Sequence, residues 1–317
     1  MAQLNWAFIG CGSIAKKVAS QICPAGQKII SVYSRSFDKA TQFAARYGAC
    51  ACESAEQAIN IEEVDAVYIA TPHTSHMAYA MQAMCAGKAV LCEKPVGISL
   101  SQAEQLEQCA KENGVYFAEA MWTWFCAPAL KVKEWVQSGK IGQVQKIEIF
   151  HAFPGLMKPK TSRVLNPETA GGALLDIGIY PITYCYQLLG YPNAVYCKGK
   201  LKNGIDIGET IHLDYDACRC KLTTSFSVLK ETCTIYGSEG EIEVPFFHMA
   251  NKAVLKTAAG KQVFKAKTDY ATEFARVAGE VQSGQTQSAY APMSATKDCL
   301  KIMDECRRQM HLTYPFE

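Results

Sequence analysis

The chain has 317 residues, of which 49% are hydrophobic and 20% charged, which is too long for one ordinary core and points to two domains. A net charge of +2 removes the electrostatic case for nucleic acid or an anionic membrane as partner, and no apolar run reaches the length of a membrane span. A small-molecule substrate and a cytoplasmic location are therefore expected. The start, MAQLNWAFIGCG, has no basic region and runs straight into a strand, so no removable signal is read there. Fifteen cysteines are scattered through the expected elements, with C-x-C pairs at Cys50/Cys52 and Cys218/Cys220 but no C-x-x-C. They read as reduced thiols serving as small hydrophobes, and no metal site is expected.

LNWAFIG (4–10) predicts a short apolar strand, and GCGSIA (10–15) opens a helix directly after it. The spacing is G-x-G-x-x-A. Gly10 permits the tight turn, Gly12 lets the backbone approach a pyrophosphate, and Ala15 allows close helix–strand packing. Ser13 and Ile14 lie in the first helical turn, whose amino end faces the anion. KIISVYS predicts a second strand and FDKATQFAARYG a helix closed by Gly48; VDAVYIATP is a further strand. SHMAYAMQAMCAG, KAVLCEKP, SQAEQLEQCAKENG and VYFAEAM continue the alternation of helix and strand. Over some 120 residues this pattern predicts a doubly wound parallel sheet of the Rossmann type, with ligands beyond the carboxyl ends of its strands. Those ends carry the candidate cofactor residues: Gly10, Gly12, Ser13, Ile14 and Ala15; Ser34, Arg35 and Ser36; Thr71, Pro72, His73 and His76; Glu93 and Lys94.

The end of the second strand bears on which dinucleotide binds. A site for NAD places an acid there, whereas here Ser34 is followed by Arg35 and Ser36, with no acid before Asp38. A hydroxyl and a guanidinium suit the 2′-phosphate of NADP. The competing reading is a solvated arginine in a loop.

From about Trp122 the periodicity changes to short alternating strands, VQKIEIFHA, AVYCKGKL, ETIHLDYD, KLTTSFSVL, TCTIYGS and KAVLKTA, flanked by helices. They predict an α+β domain with an open, largely antiparallel sheet. The expected division is 1–121 for the NADP-binding domain and 122–317 for substrate binding and oligomerisation. A helix over 171–189 would cover one face of that sheet. Ile211, Leu213 and Tyr215 alternate with His212 and Asp214, and this second apolar set is expected to be buried in a homodimer. Within the helix, GGALLDIGIYP places Asp176 and Tyr180 four residues apart in an otherwise apolar run, so they share one face. Taken alone, that pair is equally a buried phenol and carboxylate with ordinary hydrogen-bond partners.

With CEKP, ATPHTSH and GGALLDIGIYP in place, the chain resembles the glucose–fructose oxidoreductase/inositol dehydrogenase (Gfo/Idh/MocA) family. It is similar in particular to the dimeric dihydrodiol dehydrogenase branch, which includes NADP-dependent sugar oxidoreductases. The resemblance runs through GCGSIA, SRS, GKAVLCEKPVG, EAMWTWF, NPETAGGALLDIGIYP, IYGSEGEIEVPFF and MDECRRQMHLTYPFE, nearly the whole chain. It implies hydride transfer between NADP and a carbonyl or hydroxyl of a sugar, cyclic polyol or dihydrodiol-like molecule. Lys94 matches the family lysine, Asp176 and Tyr180 its D-x-G-x-Y motif, Thr71–Pro72 the nicotinamide side, and Arg163 a position near the cofactor. A phenol near pH 10 is a reluctant proton partner at neutrality, and a nearby ammonium lowers that value. Tyr180 is thus the expected general acid/base, assisted by Lys94, with Asp176 holding Lys94 or a substrate hydroxyl. Three positions depart from the pattern: His73 for Asn, Trp124 for Arg and His248 for Trp. His76, Trp122, Phe153 and Phe247 are further pocket candidates. Two other readings remain at this point: a non-catalytic NADP-binding sensor on the same fold, and Lys94 with Asp176 as a purely structural pair.

Overall fold

The computed structural model describes residues 2–317 and divides into two compact units. The first comprises 2–125 and 269–297, the second 126–268 and 298–317. The sequence suggests a single cut at 121/122. The compact units are not contiguous, because 269–297 returns to the first.

In the first unit six strands alternate with helices: β1 (Asn5–Ile9), α1 (Ser13–Ile22), β2 (Lys28–Tyr33), α2 (Phe37–Tyr47), β3 (Cys50–Cys52), α3 (Ala55–Ile59), β4 (Ala66–Ile69), α4 (His73–Cys85), β5 (Ala89–Glu93), α5 (Leu100–Asn113) and β6 (Phe117–Ala120). All ladders are parallel and the order is β3-β2-β1-β4-β5-β6. This is the doubly wound arrangement, whose order reverses between β1 and β4. Central strands covered on both faces need continuous apolar runs, and Trp6, Ala7, Phe8 and Ile9 are fully buried, as are Val67, Tyr68 and Ile69. Local chemistry sets the helix ends. Ser99 caps α5 by accepting from Gln102 N, and Gly114 ends it at φ 63°. The three-residue β3 and the five-residue α3 fall in a stretch where the sequence reading placed no element.

The second unit is built on an eight-stranded sheet of β7 (Val144–Ala152), β8 (Ala194–Lys202), β9 (Ile205–Asp214), β10 (Arg219–Ser225), β11 (Lys230–Gly237), β12 (Gly240–Glu243), β13 (Lys252–Thr257) and β14 (Gly260–Lys265). The order is β14-β13-β12-β11-β7-β10-β9-β8, antiparallel except for the β7–β10 pair. One face carries Ile147, Ile149, Ile211, Leu213, Leu222, Ile235 and Ile242, all buried under helices including α6 (Ala127–Gln137) and α7 (Ile179–Leu189). The expected helix over 171–189 is in two parts, a π-helical segment Leu174–Gly178 followed by α7. Two later helices complete the chain, α8 (Tyr270–Gln282) in the first unit and α9 (Met293–Met310), in which the division between units falls.

One expectation is corrected here. Ile211 and Leu213 do not wait for a second copy of the chain, since both are fully buried within the second unit, and the Tyr215 hydroxyl donates to Gly190 O at 3.0 Å. The opposite sheet face is polar and mixed. Lys146 pairs with Glu148 at 2.8 Å, Lys256 pairs with Glu241 and Glu243, and Tyr196 is 53% exposed. Among the described residues no helix is long and apolar enough to cross a membrane.

Candidate active site

In the first unit the predicted cofactor residues gather at the carboxyl ends of the parallel strands. Gly10, at φ 107°, ends β1, and a Cβ there would lie 2.5 Å from Ala70 O on the turn after β4. A Cβ on Gly12, by contrast, would meet nothing within 4 Å. Gly12 is also the N-cap of α1 and offers no side chain to its first amides. The backbone N–H groups of Ser13, Ile14 and Ala15 lie in the first turn at the positive end of this helix, the environment a pyrophosphate requires. Ala15 is fully buried, as close helix packing demands.

After β2, Ser34 is half-buried and Arg35 exposed. The hydroxyl of Ser36 accepts from Lys39 N at 3.5 Å and caps α2, so it has a helix to serve besides any ligand. Burial pushes the neighbouring Cys11 thiol up to about 11.

Beyond β4 and β5 the loops are tied together by a buried histidine. His76 has Nδ1 2.8 Å from Pro95 O and Nε2 2.8 Å from Thr71 O. Carbonyls only accept, so a neutral ring satisfies one of them and only the imidazolium satisfies both. Read from the sequence as a cofactor contact, His76 instead turns both nitrogens to the backbone that carries Thr71 and Lys94. His73 is buried at the first position of α4. Glu93 accepts from the Tyr68 hydroxyl at 2.5 Å, and burial together with Glu93 raises that phenol well above its usual value. Lys94 is half-buried, and its bond to Pro95 is cis. Directly after it, Val96 N donates to the buried Glu119, which also accepts from Thr296 Oγ1 at 2.9 Å. Burial lifts the Glu119 carboxyl to about 7, while its hydrogen bonds and the Lys94 ammonium pull the other way.

In the second unit, residues 170–185 are buried with two exceptions, Asp176 and Tyr180. The π-helical segment holding Asp176 is anchored at its start, where Leu174 N donates to Asp206 Oδ2 at 2.6 Å. Single turns of π-helix occur often at functional sites. Asp176 Oδ1 accepts from Arg163 Nη2 at 2.8 Å. The structure therefore joins two residues that the sequence reading kept apart, one as catalytic and the other as cofactor-binding.

Tyr180 faces two imidazoles. Its ring centroid lies 5.5 Å from that of His151 and 5.3 Å from that of His248, and the two imidazoles are 4.8 Å apart. His151 Nδ1 is 3.1 Å from Ile177 O, and His248 Nδ1 is 2.7 Å from Glu231 Oε2. Sequence reasoning singled out His248 but missed His151 and Glu231. A signal existed: His151 follows Ile147 and Ile149 on the apolar face of VQKIEIFHA, a polar residue at a core position. The other pocket candidates are buried except Phe153, which is half-buried. Trp122 stacks on Tyr270 at 4.7 Å, Trp124 and Phe247 are buried, and Phe153 packs against Phe226 at 5.0 Å.

A doubly wound sheet with an open glycine turn at its switch point, joined to a large mixed sheet, defines a dinucleotide-dependent enzyme class. Comparison with known proteins narrows it. Residues 4–121 match the family model described as oxidoreductase family, NAD-binding Rossmann fold, and residues 129–243 match the GFO/IDH/MocA C-terminal domain. The chain is 30% identical over 307 residues to scyllo-inositol 2-dehydrogenase (NADP(+)) of Bacillus subtilis, covering 91% of each chain. It is 28% identical to trans-1,2-dihydrobenzene-1,2-diol dehydrogenase of Danio rerio, covering 98% of each. In fold it is similar to a 3-ketoreductase from Actinomadura kijaniata solved with NADP and TDP-benzene, with a TM-score of 0.89 and 23% identity over 97% of this chain and 98% of that one. The chain belongs to the GFO/IDH/MocA oxidoreductase family.

Proposed function

We propose that the protein is an NADP(H)-dependent oxidoreductase acting on a carbonyl or hydroxyl of a sugar, cyclic polyol or dihydrodiol-like small molecule, with Tyr180 as general acid/base. The observation that carries the reading is the pair Asp176 and Tyr180, the two polar breaks in a buried helix of an oxidoreductase-family chain. The names of the inositol and dihydrodiol relatives support the substrate class, and the first of them supports NADP.

The residues of the first unit fit the cofactor. The space beside Gly12 and the amides of Ser13, Ile14 and Ala15 receive the pyrophosphate. Arg35 and Ser34 receive the 2′-phosphate, in the absence of the acid that would repel it. Thr71, Pro72, His73 and Glu93 would hold the nicotinamide end, and His76 ties the turn of Thr71 to that of Lys94 and Pro95. Bound there, the nicotinamide supplies or accepts the hydride.

Tyr180 donates the phenolic proton to the alkoxide oxygen during reduction and takes it back during oxidation. The Lys94 ammonium favours the phenolate form. This pairing rests on the family pattern. Asp176, held by Arg163, fixes the orientation of a substrate hydroxyl one helical turn away. The discriminating experiment is NADPH oxidation against a panel of keto-sugars, inosose-type cyclic ketones and cyclic diketones. Turnover of at least one class supports the reading; NADPH binding without turnover of any of them supports a sensor instead.

A further inference from the structure

Three residues that the proposed mechanism does not use meet beside Tyr180. His151 lies on β7 directly opposite Glu231 on β11, so their side chains leave the same face of the sheet as nearest cross-strand neighbours. His248 comes from the short 3-10 turn Phe247–Met249. One nitrogen from each imidazole and one carboxylate oxygen lie within 4.8 Å of one another. Two imidazoles and a carboxylate form the donor set of the His₂Glu zinc enzymes.

We propose that His151, Glu231 and His248 form a binding site for a divalent transition-metal ion of the zinc type. Pre-organisation sets the cluster apart from a chance meeting of polar groups. Ile177 O lies 3.1 Å from His151 Nδ1 and, because a carbonyl only accepts, assigns the proton to Nδ1 and the lone pair to Nε2. Such a backbone carbonyl is the outer partner that orients a metal-bound histidine. Glu231 is steadied in the same manner, since its Oε1 accepts from the backbone N of His248 at 2.7 Å. Its side chain is 5% exposed, against 23% for His248, so the carboxylate is a buried ligand and His248 is the more exposed one.

Ligands bound to a tetrahedral zinc ion are roughly 3.4 Å apart, given metal–ligand distances of about 2.1 Å. The three ligand atoms, within 4.8 Å of one another, must draw together by about 1.4 Å at most to reach that size. His151 and Glu231 stay in place on paired strands. The fourth position faces Tyr180, whose ring is equidistant from the two imidazoles to within 0.2 Å. Nitrogen and oxygen donors without a thiolate favour Zn²⁺ and Cu²⁺ over Mg²⁺ and Ca²⁺. Metal binding here does not depend on the hydride chemistry assigned to Tyr180 and Lys94.

The test is calorimetric titration of the chelator-treated, NADP-loaded protein with Zn²⁺ and, separately, Mg²⁺. The expected result is one Zn²⁺ per chain at micromolar affinity or tighter, with no Mg²⁺ binding at that concentration. His248→Ala, at the most exposed of the three positions, should abolish binding, and Glu231→Gln should weaken it by at least tenfold. Both variants are checked for retained circular dichroism and NADPH affinity. Because the chain has fifteen cysteines, Co²⁺ substitution supplies a second readout, an absorption spectrum with d–d bands and no thiolate charge-transfer band. No Zn²⁺ binding, binding unchanged in folded His248→Ala, or a thiolate band would each overturn the proposal.

Discussion

Glu119 makes the stability of the first unit depend on pH in a way that one substitution removes. Its carboxyl is 2% exposed, accepts from Val96 N and Thr296 Oγ1, and is lifted from 4.5 to about 7 by burial. A raised acid holds its proton more tightly folded than unfolded. Between pH 4.5 and 7 the native chain therefore binds more protons, and its stability falls as pH rises through that window. At roughly 1.4 kcal/mol per pH unit, the contribution present at pH 4.5 and lost by pH 7 is about 3 kcal/mol. Glu119→Gln keeps an acceptor for Val96 N and offers Thr296 an amide donor, but it cannot ionise. The variant should lose that part of the slope and be more stable than the parent at pH 8. Urea unfolding from pH 4.5 to 8, compared between the two proteins, isolates this group, because the other buried acids, Asp206, Glu209, Glu273 and Glu280, are common to both. Identical slopes would refute the reasoning. Since Val96 follows the Lys94–Pro95 bond, the same carboxyl also positions the lysine turn.

If Arg35 meets the 2′-phosphate as proposed, Arg35→Ala costs a charge-assisted contact of roughly 1.5–3 kcal/mol, so NADPH affinity should fall by about ten- to a hundredfold while NADH barely changes. Ser34→Asp with Arg35→Ala should invert the preference; steady-state kinetics that favour NADH in the unmodified protein would remove the basis for both. Lys94→Met should be at least as damaging to turnover as loss of the phenol, and any remaining oxidation should shift to higher pH; an unchanged rate and profile would make the lysine structural. Light scattering should report a dimer, formed through the sheet face that carries Tyr196, and a monomer at micromolar concentration would count against it.

What was legible in the sequence was what local pattern encodes. The parallel sheet announces itself through continuous apolar strands separated by capped helices, and its ligand end through glycine spacing. Asp176 and Tyr180 stand out because they interrupt a run that is otherwise buried. Elements that depend on distant partners were not legible. The strand Cys50–Cys52 exists by pairing with β2, and 269–297 joins the first unit through contacts such as Phe117 N donating to Thr286 O, far along the chain. The same holds for the site. His151 and Glu231 are eighty residues apart and meet only because of the β7–β11 register. A local alternation misleads in the same way: Ile211 and Leu213 look unpartnered in sequence, yet they are fully buried within their own unit.

The most direct test of the central claim is turnover by Tyr180→Phe, with NADPH affinity measured on the same preparation. The substitution removes one hydroxyl and leaves the ring against His151 and His248. If Tyr180 carries the proton, kcat should fall by on the order of a hundredfold or more while NADPH binds as before. A variant that binds NADPH and turns over at a near-normal rate would contradict the assignment.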